Sequence, residues 1–207
     1  ELIGVQATGC PSFLRSIAAG AIEAAPGAST IADGIAVKRP GELTFPIVRD
    51  RVDRVVAVTD EEITSAISLL LERHKLVVEG AGAVGEAALL GGQVRGLDGR
   101  KVAVVLSGGN IDLPLLQAVV RRGLTVSGRY LVLRTRILDR PGSLLRLLEV
   151  LAQERVNIID VVHHRAGMDI NVTVTGVELT VETRGVRHSR EVLATLAREG
   201  YEVEQRV

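Results

Sequence analysis

The stretch LVLRTRILDRPGSLLRLLEVL, residues 131–151, passes from one hydrophobic period to another. Its first part places Leu131, Leu133 and Ile137 on one side of a strand, because alternate side chains of a strand share a face. The segment DRPG at 139–142 then breaks the strand. Leucines follow at the i, i+3, i+4 and i+7 spacing of one helical face: Leu144, Leu147, Leu148 and Leu151. The stretch therefore predicts a strand followed directly by an amphipathic helix.

The downstream residues extend this pair into a small domain. They predict strands at 157–164 and 170–183, a helix at 189–198 and a final strand at 201–207. Within the long strand the apolar parity switches at Gly176, which predicts a β-bulge there. The resulting βαββαβ order is the split-βαβ pattern of ferredoxin-like folds. We therefore expect a ferredoxin-like domain in this part of the chain.

Upstream of this domain, strand and helix patterns alternate. Predicted strands occupy residues 2–5, 55–58, 76–78 and 101–106. Predicted helices occupy residues 12–25, 59–73, 84–90 and 112–122. Thr59 and Glu62 have the spacing of a capping box at the start of one helix. The alternation predicts an α/β layered domain with a largely parallel sheet over residues 1–126, followed by the second domain at 127–207.

Composition disfavours several classes of partner. Lysine plus arginine equals aspartate plus glutamate at 25 each, and aromatic residues make up 2%, which argues against a nucleic-acid surface. No apolar run approaches the roughly 18 residues of a membrane span. The single cysteine, Cys10, fits a reducing cytoplasm, either as a small buried side chain or as a catalytic thiol. The sequence begins without methionine inside a predicted strand, so we expect a piece of a longer cytoplasmic protein that acts on small molecules.

Two glycine-containing segments adjoin the ends of predicted strands. GAGAVG at 80–85 matches the G-x-G-x-x-G dinucleotide fingerprint, but the next strand ends in SGGN at 107–110 and not in the acidic residue that would bind a ribose. GAGAVG is thus open to three interpretations: a dinucleotide site, glycines that allow a tight turn and close helix packing, or a site for another cofactor. SGGN lies where a parallel strand ends, the usual place for a ligand in an open α/β sheet.

Four blocks carry a family resemblance: GVQA, IADGIAVKRPG, VEGAGA and LSGGNID, at residues 4–7, 31–41, 78–83 and 106–112. In order and spacing they resemble threonine dehydratases, which share a pyridoxal-phosphate fold with serine racemase. The resemblance covers the first domain up to about residue 125. It implies the C-terminal part of a fold-type II catalytic domain, similar to that of tryptophan synthase β.

This resemblance implies a set of cofactor-binding residues. Ser107 would face the pyridine nitrogen of pyridoxal phosphate, with Gly108, Glu79 and Gly80 beside the ring. A neutral hydroxyl leaves that nitrogen largely unprotonated, which suffices for β-elimination of hydroxide. The family's Schiff-base lysine and phosphate loop do not occur in this sequence, so we expect no catalytic residue in this segment and no activity from it alone. Gln6 stands where serine racemase has an acidic metal ligand, so we expect no metal there.

The segment DRPGSL at 139–144, followed by Asn157 and Ile158, makes residues 128–207 resemble an ACT domain, a regulatory module that binds amino acids. Free backbone N–H groups at the helix start suit a ligand carboxylate, although Asp139 also suits a plain turn former. The implied effector-binding residues are Asp139, Arg140, Pro141, Gly142, Asn157 and Ile158. Such domains typically pair edge to edge, which implies a homo-oligomer with the effector pocket at a dimer interface.

His163 and His164 invite a metal-site interpretation. Adjacent side chains of a strand point to opposite faces, so the two imidazoles cannot both bind one ion without further ligands. We therefore expect no metal at this pair.

The resemblance leads to one main hypothesis for function. The parent protein would convert threonine to 2-oxobutanoate and ammonia, in isoleucine biosynthesis or threonine catabolism, under allosteric control by isoleucine or valine. A second hypothesis treats the chain as a stand-alone amino-acid-binding module. A third makes the parent a serine dehydratase or serine racemase. Lyase activity and amino-acid binding distinguish these hypotheses.

Overall fold

The computed structural model of the chain describes residues 1–164 and 173–206. It divides into two compact units, Glu1–Val120 and Arg121–Val207. The division falls inside the helix Leu113–Val126, whereas the boundary predicted from sequence lies at the end of that helix. Within the described residues, no helix is both long enough and apolar enough to cross a membrane.

Unit 1 alternates short strands with helices. Its strands are β1 (Ile3–Ala7) and β2 (Arg54–Val58). Its helices are α1 (Ser12–Ala19), α2 (Thr44–Arg51), α3 (Asp60–Leu69), α4 (Gly80–Leu90) and the first part of α5 (Leu113–Val126), whose last residues belong to unit 2. β1 and β2 pair in parallel, and a π-helical turn at Leu70–His74 continues α3. This arrangement confirms the α/β class and the parallel pairing.

The capping box predicted at the start of α3 is confirmed. Glu62 N donates to Thr59 Oγ1 at 3.2 Å, and Thr59 N donates to Glu62 Oε2 at 2.7 Å. α3 packs against α4, and α4 packs against β1 and β2, so these elements share the core of unit 1. The core residues without solvent exposure are Ala32, Val58, Ile63, Ala66, Ile67, Ala83 and Ala87.

Several predicted boundaries in unit 1 are wrong. The segments 76–78 and 101–106 do not form strands. The residues that follow them are joined by a backbone hydrogen bond from Glu79 N to Gly108 O at 3.3 Å, but this bond does not belong to a strand ladder. α1 ends at Gly20, whose left-handed φ of 69° closes the helix before the predicted end at residue 25. The helix α2 was not predicted.

α4 also departs from its prediction, since it begins at Gly80 and not at residue 84. Glycines here suggested a turn, yet they lie within the helix. A Cβ on Gly82 would lie 1.9 Å from the Ser107 carbonyl oxygen, so close packing of the helix against the turn at 107–110 explains this glycine. Tertiary contact thus overrides the local helix propensity.

Unit 2 has the strand and helix order predicted for it. Its elements are β3 (Tyr130–Leu138), α6 (Ser143–Gln153), β4 (Asn157–His164), β5 (Val174–Glu182), α7 (Val186–Arg198) and β6 (Val203–Arg206). The strands form one antiparallel sheet in the order β4-β5-β3-β6. The strand order confirms the ferredoxin-like fold, with β4 and β6 at the edges.

The core of unit 2 joins one face of this sheet to α6 and α7. Its members without solvent exposure include Leu133, Leu147, Leu151, Val177, Leu179, Val181, Val192 and Leu196. The predicted bulge at Gly176 is wrong, because β3 pairs with β5 through that residue without interruption. The register shift lies instead in β4, between Ile158 and Asp160. Val174 therefore faces away from the core, and Val172 and the predicted turn at Gly167 lie outside the described residues.

Candidate cofactor site and effector cavity

The first candidate site surrounds the start of α4. Glu79 is the residue before the helix, in an extended conformation, and its carbonyl accepts hydrogen bonds from Gly82 N and Ala83 N at 3.1 Å each. Its own N–H donates to Gly108 O at 3.3 Å, and its carboxylate Oε2 accepts from Asn110 N at 3.0 Å. Glu79 therefore ties the start of the helix to the turn at 107–110.

Glycine is required where this turn meets α4. Gly108 has a φ of +80°, which side-chain-bearing residues rarely adopt, and a Cβ there would lie 2.3 Å from Glu79 Oε1. A Cβ on Gly80 would lie 2.5 Å from the Ile31 carbonyl oxygen. The structure thus brings together the predicted cofactor residues Glu79, Gly80, Ser107 and Gly108, from segments well separated in sequence.

The loop that begins the block at 31–41 forms a further wall of this site, a role that the sequence did not predict. Asp60, in the first turn of α3, accepts hydrogen bonds from Thr30 Oγ1 at 2.5 Å and from Ile31 N at 3.3 Å. These bonds hold the loop against Gly80, and Gly34 from the same loop approaches the Glu79 carboxylate. The contacts that position this wall span about thirty residues of sequence, so local patterns gave no sign of them.

The local chemistry fits a planar ring that carries a basic nitrogen. Glycine Cα atoms leave a surface without side chains, and the exposed Ser107 hydroxyl makes no hydrogen bond to any described part of the chain.

Two other residues that the sequence analysis considered have structural contacts. Gln6 caps α1, since its Oε1 accepts from Phe13 N at 3.0 Å and from Leu14 N at 3.1 Å. Cys10 is buried, in agreement with the structural interpretation of its thiol.

The family model described as "Pyridoxal-phosphate dependent enzyme" matches residues 1–108. The chain belongs to this family. The family match favours the third interpretation of GAGAVG, a site for another cofactor, which stays a prediction; the close packing of α4 at its glycines is observed.

The similar proteins cover this chain to different extents. L-threonine ammonia-lyase of Geobacter sulfurreducens is 48% identical over 204 residues, which cover 99% of this chain and 50% of that protein. The processed form of threonine deaminase isoform 2 from Solanum lycopersicum matches 58% of this chain and 34% of its own, with a TM-score of 0.52 and 27% identity. Maize serine racemase matches 58% and 38%, with a TM-score of 0.51 and 37% identity. The chain spans about half the length of the curated relatives it matches.

The second candidate site of this pyridoxal-phosphate-family chain is a cavity of about 380 Å³ at the start of α6. Gly142 precedes the helix in a left-handed conformation with φ 86°, and its carbonyl accepts from Arg146 N at 3.1 Å. The predicted effector residues Asp139, Arg140, Pro141 and Gly142 all line the cavity. The other lining residues are Ile137, Leu138, Leu144, His163 and Thr175.

Asn157 and Ile158 do not line this cavity, so one chain does not bring them together with the turn at 139–142, and their place in an effector pocket stays a prediction. Asn157 pairs with Glu182 at one end of β4, whereas the cavity lies near His163 at the other end, roughly 20 Å away along the strand. The Asn157 amide Nδ2 donates to Glu182 Oε2 at 3.4 Å, and Ile158 packs against the core. His163 and Thr175 are lining residues that sequence reasoning missed.

Proposed function

We propose that the full-length protein is a pyridoxal-phosphate-dependent threonine dehydratase, which converts threonine to 2-oxobutanoate and ammonia. The observation that carries the proposal is the convergence of Glu79 and Gly80 with Ser107 and Gly108 at the start of α4. The match of 99% of this chain to half of an L-threonine ammonia-lyase supports the choice of threonine.

The proposed roles follow from the contacts of each residue. Pyridoxal phosphate, when bound, supplies an electron sink for the carbanion formed at the substrate α-carbon. The Ser107 hydroxyl would hydrogen-bond the ring nitrogen without charging it, and Gly108 would let the ring approach the backbone. Glu79 would keep the turn closed through the Asn110 N–H, while Asp60 would hold the Ile31 loop against α4.

The experiment that tests this activity uses the full-length protein. Purified protein should carry the visible absorption band of bound pyridoxal phosphate and release 2-oxobutanoate from threonine. Release of pyruvate from serine at a higher kcat/KM, or formation of D-serine, would favour the serine dehydratase or racemase alternative. A protein with no cofactor band and no lyase activity would leave the stand-alone binding module as the better hypothesis.

The glycine at 108 provides a sharper test of the cofactor site. Gly108→Ala places a Cβ against the Glu79 carboxylate, so we expect full-length protein to bind pyridoxal phosphate about tenfold more weakly. Gly99→Ala is the matched control, because Gly99 has a similar φ of +71° and nothing within 4 Å of its Cβ position. Equal cofactor affinity in the two variants would contradict the assignment.

We further propose that unit 2 is an ACT-type regulatory domain that binds isoleucine or valine and controls the catalytic domain allosterically. The ferredoxin-like strand order and the cavity at the start of α6 support this proposal. Calorimetric titration of the 207-residue chain with isoleucine, valine, leucine, threonine and lysine tests it. Binding confined to the branched-chain amino acids is expected, and an absence of heat with all five would refute the regulatory role.

The same domain offers a surface for pairing with a second copy of the chain. β4 is an edge strand that exposes Ile159, Val161 and Val162, and exposed apolar edges favour strand pairing. We propose a homo-oligomer in the cytoplasm, where a single buried thiol stays reduced. Val161→Lys should shift the mass measured by light scattering toward the monomer, and an unchanged mass would argue against pairing along β4.

A further inference from the structure

The cavity at the start of α6 has a wall that does not come from the turn at 139–142. His163, near the end of β4, and Thr175, near the start of β5, line it from the sheet. Thr175 Oγ1 donates to the His164 carbonyl oxygen at 2.9 Å, which ties the end of β4 to β5 beside the cavity. The backbone that carries His163 is therefore anchored.

Strand geometry directs only one of the two adjacent histidines to the cavity. His163 pairs with Val177, whose side chain belongs to the core beneath the helices, so His163 shares the helix-covered face. His164 pairs with Gly176 and shares the opposite face. The two histidines therefore have the same chemistry but different positions, since His163 lines the cavity and His164 does not.

The cavity presents complementary chemistry to a zwitterion with an apolar side chain. The backbone N–H groups in the first turn of α6 and the Arg140 guanidinium favour a carboxylate, and the Asp139 carboxylate favours an ammonium group. Ile137, Leu138 and Leu144 supply an apolar surface. The cavity volume of about 380 Å³ lies within the range of small-molecule sites.

We infer that His163 is an effector-binding residue of this cavity, where its imidazole N–H donates a hydrogen bond to the carboxylate of a bound α-amino acid. The inference rests on the proposed regulatory function and adds to it a contact from β4. The carboxylate is then bound from the start of α6 and from the sheet. A hydrogen bond to a charged group of this kind corresponds to about a tenfold change in affinity.

The test is calorimetric titration of the 207-residue chain with isoleucine, with valine and with isoleucinamide. His163→Ala should weaken binding of the free amino acids about tenfold, and His163→Gln should recover most of the loss because it keeps an N–H donor. His164→Ala is the matched control and should bind as the wild type does. With isoleucinamide, which has no carboxylate, wild type and His163→Ala should bind equally.

The outcomes separate this inference from the function on which it rests. If the wild type binds isoleucine or valine but His163→Ala binds equally well, the role of His163 is overturned and the regulatory function stands. Equal losses in His163→Ala and His164→Ala also overturn it, since they would indicate a general disturbance of β4. If the wild type binds neither amino acid, the proposed regulatory function fails together with the inference. Unfolding midpoints of all variants show whether each one is folded.

Discussion

Glu62 shows how one carboxylate can join two parts of unit 1. The backbone N–H of Thr59, 2.7 Å from Oε2, is the main cause that lowers the pKa of Glu62 below its usual value of 4.5. Partial burial opposes this effect, while hydrogen bonds from Gln93 Nε2 at 2.6 Å and from the Thr59 hydroxyl at 3.0 Å reinforce it. The charged form of Glu62 thus stabilises both the start of α3 and the loop that carries Gln93.

This pKa predicts a pH-dependent stability difference between wild type and Glu62→Gln. Because the folded pKa is lower than the unfolded one, the stabilisation is complete above pH 4.5 and is lost as the pH falls through the folded pKa. We expect Glu62→Gln to cost about 1 kcal/mol at pH 7 and progressively less below pH 4.5. Urea unfolding of both proteins across this range measures the difference. The exposed Asp98→Asn is the control, and a constant Glu62→Gln cost at every pH would contradict the prediction.

The extent to which single residues could be predicted depended on how local their contacts are. Thr59 and Glu62 lie three residues apart, so the sequence pattern contained the whole interaction. Asp60 and Thr30 meet across thirty residues, and no local pattern records their hydrogen bond. Ser107 and Glu79 were predicted as neighbours only through the family resemblance, because their proximity arises from packing of α4 against a distant turn.

At the scale of elements, the same distinction separates the two units. The period changes in residues 131–151 correctly predicted β3 and α6, since each of these elements presents a regular apolar face to one core. The apolar runs at 76–78 and 101–106 have strand-like composition but no ladder among the described residues. Strand formation needs partners, and composition alone does not specify them.

His188 connects two elements of unit 2. It is 5% exposed and lies in the first turn of α7. Its Nδ1 accepts from Arg184 N at 3.1 Å, and its Nε2, assigned as the protonated nitrogen, donates to the Glu154 carbonyl at 2.9 Å. Glu154 is the C-terminal cap of α6, so the imidazole joins the end of one helix to the start of the other.

Removal of this imidazole should destabilise unit 2. His188→Ala would leave the Arg184 N–H and the Glu154 carbonyl without their partner, at a cost of about 2 to 3 kcal/mol. His164→Ala is the comparison, because the hydrogen bond at that position involves the main-chain oxygen and survives the change. Thermal unfolding followed by near-ultraviolet circular dichroism measures both variants. Equal midpoints for His188→Ala and His164→Ala would show that the bridge adds nothing to stability.

At the scale of the whole molecule, each unit has a core of its own. The core around Val58 and Ile63 belongs to unit 1, and the core around Leu147 and Leu179 belongs to unit 2. The chain has two tyrosines and no tryptophan, and Tyr130 and Tyr201 both lie in unit 2. The tyrosine signal therefore reports on unit 2 alone, whereas far-ultraviolet circular dichroism reports on the helices of both units.

Separate cores predict that core substitutions act on one unit at a time. Leu147 and Ile63 are both fully buried, so truncation of either to alanine should cost about 2 to 5 kcal/mol. Leu147→Ala should lower the urea midpoint of the tyrosine signal, while Ile63→Ala should leave that midpoint unchanged and lower only a far-ultraviolet transition. Coupled cores would give the opposite pattern, in which Ile63→Ala also shifts the tyrosine transition. That result would mean that unit 2 owes part of its stability to unit 1 and does not fold independently.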